Sequence, residues 1–196
     1  MPGAPETGER VIAFGPNAVT AAVACLRETG CVLVLAGNQA RADFLPPASD
    51  AERASTGRAL HPDGHGLRRQ IARAIAASFT GQDAADFAVV LSADGQPMLS
   101  GPGDLHVSFA TRGDLSLVGI ARRPLGVDLE SAIPPDMIPW NVLRPDEAEV
   151  LRALPEAARA EAFLDLWTGK EAAAKALGTG LRIPPEALWI TRDGIV

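Results

Sequence analysis

Asp128 and Glu130 stand two residues apart in Gly126-Val127-Asp128-Leu129-Glu130. Glu171 and Lys175 stand four apart in Trp167-Thr168-Gly169-Lys170-Glu171-Ala172-Ala173-Ala174-Lys175. Three carboxylates and a lysine suit a site that holds a divalent cation and a polyphosphate, because such an ion prefers hard oxygen ligands and an ammonium matches phosphate charge. Side chains alternate faces along a strand, so Val127 and Leu129 would point to a core and Asp128 and Glu130 together to the other side. Their Cα atoms would lie about 6–7 Å apart, within reach of one ion or its waters. On a helix Glu171 and Lys175 share a face, acid first, which is the favourable order. Taken alone, each pair has a plain reading: solubilising acids on an exposed strand, and a surface ion pair worth little. That reading does not explain why Trp167, Lys170, Glu171 and Lys175 follow the Asp-x-Glu pair in this order about forty residues later.

The elements that must position these residues can be read from periodicity and punctuation. Residues 1–10 form a start without structure signals. Ala18 to Leu26 has helical composition and Gly30 can stop it. Cys31 to Ala36 reads as a buried strand. Residues 46–66 are rich in Pro, Gly, Asp and Ser and read as a loop around a short helix. Leu67 to Phe79 is an amphipathic helix with Leu67, Ile71, Ala74 and Ile75 on one face. Phe87 to Leu91 is a strand, and Asp94-Gly95 a turn signal. Leu105 to Ala110, Leu115 to Ala121 and Leu125 to Glu130 predict a three-stranded antiparallel meander. Pro145 fits a first helical position, with Asp146 and Glu147 in the favourable first turn. Pro155 breaks that helix, a second runs from Glu156 to Leu177, and Ala187 to Thr191 is a last strand.

The chain has 196 residues, 47% apolar and 21% charged, with a net charge of −6. These values describe an ordinary soluble globular protein of one domain or two compact halves. The acidic balance argues against a general nucleic-acid binder. The most apolar early stretch, Val11 to Gly37, is interrupted by Asn17, Arg27 and Glu28 and is too broken to span a membrane. The start lacks the order of a signal peptide. Cys25 and Cys31 are expected to be reduced thiols, so the expected location is cytoplasmic.

These two motifs resemble those of the 4′-phosphopantetheinyl transferase superfamily, specifically its larger monomeric, surfactin-synthetase-activating branch. The family's first motif, Gly-(Val/Ile)-Asp-x-Glu, is intact from Gly126 to Glu130. Its second, Trp-(Ser/Thr/Cys)-x-Lys-Glu-(Ala/Ser)-x-x-Lys, is intact from Trp167 to Lys175. Looser matches are Pro145-Asp146-Glu147, Gly95-Gln96-Pro97-Met98-Leu99 and His106 to Gly113, so the similarity covers about Leu67 to Ile190. The resemblance implies an α+β fold of two similar α/β halves related by a pseudo-two-fold axis, divided here as 1–103 and 104–196. It implies transfer of 4′-phosphopantetheine from coenzyme A to a serine of an apo acyl or peptidyl carrier protein, with 3′,5′-ADP released. Such enzymes serve fatty-acid, polyketide and nonribosomal-peptide synthesis, and this chain would act as a monomer. Asp128, Glu130 and Glu171 would hold Mg²⁺, with Mn²⁺ an alternative. The serine proton would pass to Glu171 or to a water on the metal, and Lys175 would sit on the transferred phosphate. Catalysis would thus rest on Asp128, Glu171 and Lys175. Lys170 would be either a phosphate contact or a solvated side chain.

Two departures bear on the coenzyme A pocket. The family's lysine before proline is Gln96, and its Ser-His at the turn is Ala110-Thr111. Arg112, next in the chain, could offer a planar fork to the 3′-phosphate instead. Arg58, Arg68 and Arg69 are candidates for an upstream nucleotide contact, Arg68 foremost. The pocket set expected from the resemblance is therefore Gln96, Thr111, Arg112, Lys170, Lys175 and Arg68. Gln96 and Thr111 also motivate a rival: a relative that binds coenzyme A or a carrier protein without turnover. A two-carboxylate glycosidase is disfavoured by the 5% aromatic content and the absence of tyrosine. His61-Pro62-Asp63-Gly64-His65 reads as a solvated loop rather than a metal site.

Overall fold

The computed structural model describes residues 11–50, 52–53, 64–179, 182–191 and 194–195. It is a mixed α+β architecture. In chain order come β1 (Val11–Ala13), α1 (Ala18–Thr29), β2 (Cys31–Gly37), α2 (His65–Thr80), β3 (Ala88–Leu91), β4 (Pro97–Ser100), β5 (His106–Arg112), β6 (Leu115–Ala121), α3 (Pro145–Ala153), α4 (Glu156–Ala176), β7 (Ile190–Thr191) and β8 (Gly194–Ile195). The main sheet has the order β1-β2-β6-β5. β1 runs parallel to β2, while β2 and β5 both run antiparallel to β6. The sheet therefore draws two strands from each side of residue 103. β3 and β4 form a separate antiparallel hairpin.

The sheet alternates its side chains between two apolar clusters, as pleating requires. Val32 and Val34 of β2, Val107 of β5, and Val118 and Ile120 of β6 face a large core closed by Leu26 of α1 and Leu67, Ile71 and Ile75 of α2. Leu33, Leu35, Ala110 and Leu117 face the opposite side, where Leu125, Val127 and Leu129 cover them. A third cluster joins α3 to α4 through Ala148, Leu151 and Phe163, with Trp140 and Trp167 against it.

Helix termini follow the punctuation of the sequence. Gly30 and Gly81 end α1 and α2 in left-handed conformation, each donating its N–H back into the last turn. Ser49 and Glu52 cap each other reciprocally, Ser49 N–H to Glu52 Oε2 at 2.7 Å and Glu52 N–H to Ser49 Oγ at 3.1 Å. This is the short helix expected within 46–66; residues 54–63 lie outside the described residues.

Three expectations change. The predicted third meander strand, Leu125 to Glu130, is extended but joins no sheet ladder. Pro124 has no N–H to give to a ladder, and the Val127 N–H goes to Ser108 Oγ at 3.1 Å. β6 instead finds its second neighbour in β2. The strands β1 and β4 were not anticipated, because Val11–Ala13 is only three residues long and β4 begins with a proline. Ala187 proves to close a 3-10 turn, with β7 starting only at Ile190.

Candidate functional site

Gly126 explains how the two motifs meet. A Cβ at this position would lie 1.7 Å from the Ala172 carbonyl oxygen and 2.6 Å from the Ala176 N. No side chain fits there, so the backbone of 125–130 lies directly on the backbone of α4. Ala172 and Ala176 keep that strip of the helix low. Val127 is buried on the sheet side, which turns Asp128 toward the helix residues one turn on.

The resulting contacts are short and charged. Lys175 Nζ donates to Asp128 Oδ1 at 2.7 Å and to the Val127 carbonyl at 2.9 Å. The Asp128 side chain is 10% exposed, and its second oxygen, Oδ2, is buried without a hydrogen-bond partner. Glu130 Oε2 meets Arg112 Nε at 2.9 Å, and the same Nε lies 3.2 Å from Ser131 Oγ. Among the described residues, Glu171 has no ion-pair partner within salt-bridge distance. Burial first, and then the Asp128 charge, push its carboxyl above the usual range; Lys175 pulls the other way and Glu130 adds to the rise. The three acids and Lys175 thus share one electrostatic site.

Among the described residues, no three His, Cys, Asp or Glu side chains are gathered closely enough to hold a metal ion. The donor set nevertheless fits a hard divalent cation chemically. The orphaned Asp128 Oδ2 needs a donor or a cation, and a nearby positive charge would relieve the mutual repulsion that raises Glu171.

Lys170 departs from expectation. It is 1% exposed, and its Nζ donates to Glu147 Oε2 at 2.7 Å and to the Pro185 carbonyl at 2.8 Å. It is neither solvated nor presented to a ligand; a phosphate could take it only by breaking this pair. Glu147 Oε2 also accepts the Arg144 N–H at 2.9 Å at the start of α3. The lysine therefore locks α4 to α3 and to the segment at Pro185. Lys170 and Lys175 are the only lysines in the chain.

Arg68 stands in a second charged cluster. Its Nη1 donates to Thr111 Oγ1, and its Nε is buried without a partner. Arg68 and Arg69 both lie against the Phe109 ring, at 5.7 and 5.8 Å from its centre. Burial, and then Arg69, lower the Arg68 guanidinium to about 10, and burial lowers Arg69 as well. His65 is lowered to about 4, by burial first and then by the two arginines. Two desolvated guanidiniums with a spare donor favour an anion. Arg58, the other upstream candidate, and His61 to Asp63 lie outside the described residues.

A cavity of about 190 Å³ opens beside Lys175. Its lining includes Lys175, Gln96, Ser108 and Phe109, and Phe109 carries the two arginines on its ring. Gln96 was expected as a pocket residue; it lines this cavity, and its amide Nε2 donates to the Lys175 backbone carbonyl at 2.8 Å. Nothing in the sequence signalled the part played by Ser108, since a serine bonded to Val127 N–H looks like any strand serine.

Residues 124–194 match the family model of the 4′-phosphopantetheinyl transferase superfamily. The chain is 28% identical over 91 residues to 4′-phosphopantetheinyl transferase gsp of Aneurinibacillus migulanus, covering 46% of this chain and 38% of that protein. It is 27% identical over 119 residues to 4′-phosphopantetheinyl transferase of Bacillus subtilis, covering 60% and 53%. The chain thus spans about half or less of the curated relatives it matches.

Proposed function

We propose that this chain, which resembles the 4′-phosphopantetheinyl transferase superfamily over its carboxylate and lysine motifs, moves 4′-phosphopantetheine from coenzyme A to a serine of an apo carrier protein. The observation that carries this reading is the meeting of Asp128, Glu130 and Glu171 with Lys175 across the Gly126 contact. Phosphoryl transfer needs charge neutralisation and in-line positioning more than covalent chemistry, and this cluster supplies charged groups in the right combination.

In this proposal the serine Oγ attacks the phosphorus that bears the pantetheine. The bond from that phosphorus to the bridging oxygen breaks, and 3′,5′-ADP leaves with the electron pair. The serine proton goes to the Glu171 carboxylate, whose raised affinity for protons suits a general base. Lys175 stands by the transferred phosphate, Arg68 and Arg69 with Thr111 face the nucleotide end, and Arg112 reaches in from the Glu130 side. Mg²⁺, held by Asp128, Glu130 and Glu171, would neutralise the pyrophosphate when bound; Mn²⁺ suits the same oxygens. The acyl or peptidyl carrier protein as acceptor, the monomeric state, the cytoplasmic location and the pseudo-symmetric halves 1–103 and 104–196 belong to the same reading. No helix among the described residues is long and apolar enough to cross a membrane.

The test is intact mass spectrometry on a panel of apo carrier proteins incubated with this protein, coenzyme A and Mg²⁺. The expected result is a phosphopantetheine-sized gain, abolished by a chelator and matched mole for mole by 3′,5′-ADP. Calorimetric binding of coenzyme A with no gain on any carrier would favour a binding protein without turnover.

A further inference from the structure

Gln96, which stands where the family has a lysine, makes a contact of its own within the protein. Gln96 lies in the turn between β3 and β4. That turn is braced internally: Ser92 N–H donates to the Gln96 carbonyl at 2.8 Å, and Gln96 N–H to Ser92 Oγ at 3.1 Å. From it, the Gln96 amide reaches the Lys175 carbonyl at 2.8 Å. This carbonyl sits in the last turn of α4, where backbone acceptors lack helical partners. Gly178 N–H reaches the same oxygen at 3.1 Å. Gly178 has φ +68°, a conformation that favours glycine, and a Cβ there would come within 2.7 Å of Gln96 Oε1 and push the amide aside. A second tie runs alongside: Arg182 Nη1 meets Asp94 Oδ1 at 2.6 Å, while its Nη2 donates to the Gly178 carbonyl at 3.1 Å.

Lys175 is thus held at both ends. Its carbonyl is fixed by Gln96, and its ammonium by Asp128 and the Val127 carbonyl. Without the first hold, the Lys175 carbonyl keeps only the Gly178 N–H, and at a helix end that turn is freer to fray and carry the ammonium with it.

We propose that Gln96 is a positioning residue for Lys175: its amide clamps the end of α4 so that the ammonium stays on the Asp128 segment. What Lys175 does there rests on the proposed transfer; the clamp itself does not. A geometric role has a specific consequence. Loss of the clamp lowers kcat and spares affinity, whereas loss of a ligand contact raises KM.

The experiment compares the full-length wild type with Gln96→Ala and Gln96→Glu. The glutamate keeps the shape of the side chain but cannot donate to a carbonyl. Both variants should lower kcat about tenfold, with the coenzyme A KM within about twofold. In protein labelled with ¹³C at lysine Cε, two side-chain signals are expected. The Lys175 signal should move toward that of a free lysine in both variants, while that of buried Lys170 stays in place. A Lys175 signal unchanged in both variants overturns the clamp, as does a raised KM at constant kcat. If the wild type shows no transfer at all, the proposed function fails and the lysine signals still decide the clamp.

Discussion

Of the three clustered acids, Glu171 is the one with no ion-pair partner among the described residues. Asp128 has Lys175 and Glu130 has Arg112, at 2.7 and 2.9 Å, while Glu171 sits half-buried in their combined field. Its folded-state pKa is raised, so its ionised form costs stability above the ordinary carboxylate range, and that cost disappears as the pH falls and the group protonates. Glu171→Gln removes the charge and keeps the shape. It should therefore raise Tm by about 1–3 °C at neutral pH while abolishing transfer, the pattern of a site that trades stability for activity. The gain should shrink as the pH falls through the raised pKa, which scanning calorimetry across pH will measure. A Tm that drops at neutral pH would mean that Glu171 is held by a favourable contact instead.

At the scale of elements, the site depends on how closely an extended segment lies on a helix. Gly126→Ala would drive a methyl into the Ala172 carbonyl. Separating the two backbones should cost about 3 kcal/mol, or roughly 10 °C in Tm, and transfer should fall further than the folded fraction does. Thermal unfolding and turnover of the same sample check this; a near-normal Tm would contradict the contact. Part of this arrangement was legible in the sequence. The alternation of Val127 and Leu129 against Asp128 and Glu130 predicted which side chains face the core. It could not show that the segment pairs with no strand, because that depends on Pro124, on Ser108 and on a helix about forty residues away. The spacing of Glu171 and Lys175 placed both on one helical face, yet Lys170 beside them turned inward. Its partner Glu147 was visible only as a helix-start acid, and a long-range pair of this kind leaves no periodic trace. The strand of three residues at Val11 and the proline-led strand at Pro97 lack the length and composition that mark strands.

Over the whole molecule, the central sheet is a two-sided support. One face carries α1 and α2, whose arginines at 68 and 69 reach around to Phe109 and Thr111. The other carries the Asp128 segment and, behind it, α4. Desolvated arginines thus gather on one layer and the acid–lysine cluster on the other, so a chain of net charge −6 still carries local cationic groups on both sides of its sheet. On the proposed function, Asp128 carries the transfer while the core does not depend on its charge. This is tested most directly by intact mass spectrometry of one apo carrier protein incubated with coenzyme A and Mg²⁺, with wild type and Asp128→Asn side by side, both first checked for a folded circular-dichroism spectrum. Complete conversion by the wild type and a rate lower by at least about a hundredfold for the variant are expected. Equal conversion by a folded Asp128→Asn would contradict the proposed role of Asp128.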